Sequence, residues 1–172
     1  AAVLEALARP QVMANIMTPN LAQRRFASAL RKEIGHTRGG CPFERFMCLN
    51  SGSEAVGLAA RIVDINAKLQ TDPGAPHAGA SIKRLVVKGS FHGRTDRPAL
   101  YSDSSRGTYD KFLASYRGEN SVITIAPYDV AALRQAFADA QARGWIITVV
   151  FLDPVLGEGD TLELAEPKDI ET

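Results

Sequence analysis

The sequence has little of what staples, metallates or electrostatically steers a chain. Two cysteines, Cys41 and Cys48, stand seven apart in 172 residues. That spacing fits neither a CxxC redox pair nor a zinc ribbon, and reads as two free thiols in a reducing, cytoplasmic compartment. The three histidines, His36, His77 and His92, lie far apart and lack metal-ligand spacing. Neither sign of charge prevails: Lys+Arg 20 against Asp+Glu 19 leaves a formal net charge of +1. This removes the main electrostatic argument for nucleic acid or a membrane surface as a partner. No apolar run reaches the roughly 18 residues a membrane-crossing helix needs. The stretch from Ala1 to Ala8 carries an acid and no basic n-region, so it does not read as a secretory signal. The GxxxxGK[ST] and GxGxxG loops of triphosphate and dinucleotide sites are missing, as is the GxSxG elbow of serine hydrolases. There is no internal repeat.

What is present is a globular composition, 45% hydrophobic and 23% charged, at a length that suggests one domain with a sizeable core. After an Ala/Leu-rich, helix-prone start broken by Pro10, Leu21 to Ile34 reads as a helix. Asn20 is a good N-cap, Gly35 a good stop, and Phe26, Ala27, Leu30 and Ile34 share one face. Arg45 to Leu49 (RFMCL) reads as a short strand leading into a helix from Ser53 to Leu69. That helix confines Glu54, Arg61, Asp64 and Lys68 to one stripe, so it is expected to be covered on most sides, by a sheet and by something else such as a partner subunit. Lys83 to Lys88 and Ser121 to Ala126 read as strands, and Phe91 to Asn120 as a polar loop in which Asp96, Asp103 and Asp110 are loop acids. Asp129 caps a helix with Val130, Leu133, Phe137 and Ala140 on one face, stopped by Gly144. Ile146 to Leu152 is a β-branched run that reads as a strand buried on both faces. Alternation of this kind predicts an α/β fold, a mainly parallel sheet with helices on both faces.

Ligands of such sheets bind beyond the carboxyl ends of the strands. Three unusual segments stand there. In Ser51-Gly52-Ser53-Glu54 a small turn opens a helix directly after a strand, which suits one phosphate at the helix N-terminus; the same serines also serve as plain N-caps. In Ser90-Phe91-His92-Gly93-Arg94-Thr95, Phe91 can stack on a flat ligand and His92 can stack or hydrogen-bond, or the pair is a core aromatic beside a surface histidine. In Asp153-Pro154-Val155-Leu156-Gly157-Glu158-Gly159, an acid closes a buried strand, which is costly unless it is paired or caps the strand end. Glu158, between two glycines, sits on a loop.

Together the three segments resemble class III (ornithine/omega-amino-acid type) aminotransferases, pyridoxal-phosphate enzymes of the aspartate-aminotransferase fold. Asn50-Ser51-Gly52-Ser53-Glu54-Ala55 resembles that family's N-[ST]-G-[ST]-E-A signature, Ser90 to Thr95 its [SG]-[FY]-H-G-[RK]-[TS] signature, and Phe151 to Gly159 its x-x-E-P-x-x-G-E-G segment. The resemblance implies a fold type I large domain and pyridoxal 5'-phosphate as cofactor. Gly52 and Ser53 would hold the phosphate with Ser51 alongside. Phe91 would stack on the pyridine ring with His92 close to it. Asp153, where the family has glutamate, would lie near the cofactor's polar edge, and Glu158 near the substrate entrance. The implied reaction is transamination between an amine or omega-amino acid and a keto acid, in a homodimer.

The family's later segments, with the aspartate facing the pyridine nitrogen and the Schiff-base lysine, are not in this sequence, and Lys83, Lys88 and Lys111 lack that lysine's context. No catalytic residue is therefore assigned. The expectation is a partial cofactor-binding large domain over residues 1–160 with an acidic tail or truncated end over 161–172. The alternatives are a catalytically inactive relative serving as an assembly subunit, and a generic phosphate-ligand-binding α/β domain.

Overall fold

The computed structural model describes residues 4–5, 8, 20–36, 39–156 and 163–164. The chain divides into two compact units, Ala1–Cys48 and Leu49–Thr172.

In the first unit, α1 spans Leu21–Gly35, and the Asn20 side chain accepts from the Gln23 N–H at 2.9 Å, as the cap reading requires. Ala27, Leu30 and Ile34 are half-buried, but Phe26 is exposed. Arg45 to Leu49 forms no strand. Apolar, β-prone side chains do not suffice for one, because extended backbone becomes a strand only when a neighbour takes up its N–H and C=O groups. No ladder among the described residues pairs with this segment.

The second unit is α/β. Its helix α2, Gly52–Thr71, is followed by β1 (Ser81–Val87), α3 (Asp96–Tyr101), α4 (Asp103–Phe112), a 3₁₀ turn (Ala114–Tyr116), β2 (Val122–Ile125), α5 (Val130–Ala142) and β3 (Trp145–Phe151). The three strands form a parallel sheet in the order β2-β1-β3. A separate antiparallel pair joins β4 (Val155–Leu156) to β5 (Glu163–Leu164), the only described part of the expected tail.

Position in this sheet decides burial. Central β1 has both faces covered: Leu85 and Val86 are fully buried and point to opposite sides. Val86 packs with Ala60 of α2, Tyr101 of α3 and Phe151 of β3, while the Tyr101 and Phe151 rings stack at 4.4 Å. Lys83 is buried too, its ammonium donating to the Asn120 carbonyl at 2.6 Å and lying 4.4 Å from the centre of the Trp145 ring. The β-branched run in β3 is only half-buried; among the described residues β3 pairs on one side alone.

The helices follow the same logic. Ser51 caps α2, accepting from the Glu54 N–H at 3.2 Å, and Glu54 reaches back to the Asn50 N–H at 2.8 Å. This reciprocal arrangement resembles a capping box. Helix α2 packs one face, through Ala60 and Ala67, against the sheet side. It is not covered on most sides: Ile62, Ile65 and Leu69, spaced along the other face, are exposed. In α5 the Asp129 carboxylate accepts from the Ala132 N–H at 2.7 Å. Ala136 and Ala140 form its buried face, whereas Phe137 is exposed.

The stretch from Phe91 to Asn120 is not simply loop. It contains α3, α4 and the 3₁₀ turn, so Asp96 and Asp103 begin helices and Asp110 lies inside one. Polar composition and Gly107 hide α4 from an apolar-periodicity reading, and Pro98 is tolerated in the first turn of α3, where no intrahelical N–H is required.

Candidate functional site

The parallel sheet ends at Val87, Ile125 and Phe151; the segment after β1 reaches the start of α2, and the segment after β3 reaches that same loop. Gly89, with φ +80°, turns the chain out of β1. The following loop then touches α2: the Arg94 N–H donates to Ser53 Oγ at 3.3 Å. Gly93 makes that approach possible. Its φ is +119°, and a Cβ built there would lie 2.3 Å from Ser53 Oγ and 3.0 Å from Ser53 Cα. Only glycine combines this backbone conformation with this closeness.

The same loop is tied to the segment after β3. One oxygen of Asp153, Oδ2, accepts from the Phe91 N–H at 2.9 Å, and the other, Oδ1, lies 3.3 Å from His92 Nδ1. The His92 ring sits 5.3 Å from that of Phe151. The three sequence-selected segments are therefore one physical cluster, joined by Ser53 to Arg94 and by Phe91 and His92 to Asp153.

No protein-family model matches the chain, and no curated protein matches it. The cluster has to be judged by its chemistry.

At the N-terminus of α2, the N–H groups of Gly52 and Ser53 have no acceptor within the helix, while Ser51 satisfies that of Glu54. A Cβ at Gly52 would meet nothing within 4 Å, so the backbone is open to an approaching group. A cavity of about 660 Å³ flanks these turns, bounded by Ser53, Gly57 and Arg61 on α2 and by Thr95 and Arg97 across from it. Phe91 is half-buried, with the Arg94 guanidinium 5.5 Å from its ring centre. Gly52 and Ser53 supply oriented N–H donors, and Phe91 lies on the loop whose Arg94 N–H reaches Ser53.

His92 is buried, against the surface alternative. Burial holds its imidazole below the ordinary value, and the Asp153 carboxylate opposes this only in part. Its Nε2 is buried and has no hydrogen-bond partner among the described residues. Asp153 is engaged with Phe91 and His92, a role the expected cofactor contact did not include. Glu158 lies outside the described residues.

Two residues that shape the site were missed. Ser102, fully buried, accepts from the His92 N–H at 2.8 Å, and its hydroxyl faces the carbonyls of Gly93 at 2.7 Å and Pro98 at 3.0 Å. Asp103 accepts from the Gly89 N–H at 2.9 Å and from Thr124 Oγ1 at 3.3 Å, with Arg106 at 3.6 Å. The only available signal was a polar run, Ser102 to Arg106, directly after the apolar Leu100 and Tyr101. No group of three or more His, Cys, Asp or Glu among the described residues is placed to hold a metal ion. No described helix is long and apolar enough to cross a membrane.

Proposed function

We propose that this chain supplies the phosphate- and ring-holding segments of a pyridoxal 5'-phosphate site, within a class III aminotransferase of fold type I. The observation that carries this reading is the meeting of the three motif segments at the carboxyl edge of a parallel sheet. The residues suit the cofactor's two demands. Open N–H groups at Gly52 and Ser53, at the positive end of the α2 dipole, suit a dianionic phosphate. The Phe91 ring suits a flat heteroaromatic ring.

In this reading Ser51 holds the helix start in shape, Gly52 and Ser53 bind the phosphate, and Phe91 orients the ring. His92 and Asp153 fix the loop that carries Phe91. When bound, the cofactor supplies the electron sink that lets an amino group move between an amine or omega-amino acid and a keto acid. The protein acts as a cytoplasmic homodimer, with the exposed Ile62, Ile65 and Leu69 face of α2 as a contact surface.

The test is calorimetric titration of the protein with pyridoxal 5'-phosphate, pyridoxal and inorganic phosphate. Pyridoxal 5'-phosphate should bind more tightly than either part. Phe91→Ala should weaken it by about 1–3 kcal/mol, the range for aromatic–base stacking, and leave phosphate binding unchanged. Equal affinity for pyridoxal 5'-phosphate and phosphate would overturn the ring-holding role and leave a plain phosphate site.

A further inference from the structure

Among the described residues, Asp153 is the acid whose two oxygens face two consecutive residues of the ring-holding loop. Oδ2 accepts the Phe91 N–H at 2.9 Å, and Oδ1 stands 3.3 Å from His92 Nδ1, across 62 and 61 residues of sequence. His92 is held on its other sides as well. Its N–H donates to the buried Ser102 Oγ, and its ring rests against Phe151. Its second ring nitrogen, Nε2, is sealed from solvent and has no partner among the described residues. The ring's tautomer is therefore answerable to Asp153: a carboxylate can only accept, so it favours a proton on Nδ1 and leaves a bare lone pair on Nε2.

We infer that Asp153 is a positioning residue, a two-oxygen clamp that holds His92 as its Nδ1–H tautomer and thereby fixes the loop carrying Phe91. This rests on the proposed ring-holding role of Phe91. It assigns Asp153 no contact with the cofactor. Asn at this position tests the clamp with little change of shape. Its single oxygen is needed by the Phe91 N–H, so its NH₂ faces Nδ1. An NH₂ donates, which requires a lone pair on Nδ1 and moves the ring proton to Nε2, where it is buried without an acceptor.

The experiment is ¹⁵N NMR of the imidazole in the unsubstituted protein, Asp153→Asn and Asp153→Glu, each also titrated with pyridoxal 5'-phosphate and with inorganic phosphate. The unsubstituted protein should show a protonated Nδ1, and Asp153→Asn a protonated Nε2. Asp153→Glu, which keeps the carboxylate, should retain the Nδ1–H form. Affinity for pyridoxal 5'-phosphate should fall about tenfold in Asp153→Asn, the scale of one donor buried without an acceptor, with phosphate affinity unchanged because α2 is untouched. A protonated Nε2 in the unsubstituted protein overturns the clamp, without need of any variant. An unchanged pyridoxal 5'-phosphate affinity despite a flipped tautomer overturns its link to Phe91. If the unsubstituted protein does not distinguish pyridoxal 5'-phosphate from phosphate, the proposed function fails, while the tautomer still decides the clamp.

Discussion

Ser53 separates an anion site from a helix start that merely needs capping. Its hydroxyl accepts the Arg94 N–H, while its own N–H is one of the first-turn groups of α2 that have no acceptor within the helix. An aspartate at this place keeps an acceptor for Arg94 and adds a negative charge where the helix dipole welcomes one. Ser53→Asp should therefore fold with undiminished thermal stability. The same charge repels a phosphate, so affinity for pyridoxal 5'-phosphate should drop about tenfold or more at low salt, and less at high salt. Calorimetry at two salt concentrations checks both parts. Undiminished affinity would make Ser53 a structural residue only. The residue types of this cluster were legible in the sequence, since small hydroxyl residues around a glycine after a strand-like run advertise a helix N-terminus. The identity of the Asp153 partners was not. They lie 61 and 62 residues away, and no local pattern encodes which buried donors a strand-end acid will meet.

Among the elements, those with apolar periodicity and a capping residue were readable almost to their ends. Helix α1 follows Asn20 as its cap predicts, and α5 follows Asp129 in the same way. Helices α3 and α4 were invisible because their stability comes from tertiary contact. Tyr101 is buried in the core against Phe151, and Asp103 is fixed by Gly89 and Thr124. The packing of the loop after β1 against α2 depends on Gly93. Alanine there has to adopt φ +119° and place a Cβ within 3.0 Å of Ser53 Cα, a backbone-lined contact that cannot relax by moving one flexible side chain. Gly93→Ala should cost about 1–3 kcal/mol through strain and crowding. Urea denaturation measures that loss, and amide exchange at Arg94 should be faster in the variant than in the native protein. An unchanged exchange rate would mean that the loop and α2 are not coupled through this contact.

Across the whole molecule, the order β2-β1-β3 could not be read from strand patterns, because β3 (WIITVVF) is more apolar than β1 (SIKRLVV), yet pairing puts β1 at the centre of the sheet. That order brings β1 and β3 side by side, so the segments that follow them meet, and His92 becomes a buried titratable group dependent on the intact unit. The consequence for stability has a definite sign. Burial lowers the His92 value in the folded protein, with the Asp153 carboxylate opposing. The unfolded chain therefore takes up a proton first as the pH falls through about 6.5, the ordinary histidine value. Between that value and the lower folded one, the unfolded state binds more protons, so stability rises with pH and is lost on acidification. Only below the folded value does the loss level off. His92→Gln removes the titration. It should be less stable than the native protein at every pH, through lost packing on Phe151, yet flatter in its dependence between pH 7.5 and 5.5. The linked proton contributes at most about 1.4 kcal/mol per pH unit in that window. The other two histidines, His36 and His77, are exposed. The urea midpoint at several pH values distinguishes the outcomes: parallel curves for the two proteins would show that His92 does not carry the pH dependence, and a steeper native curve would show that it does.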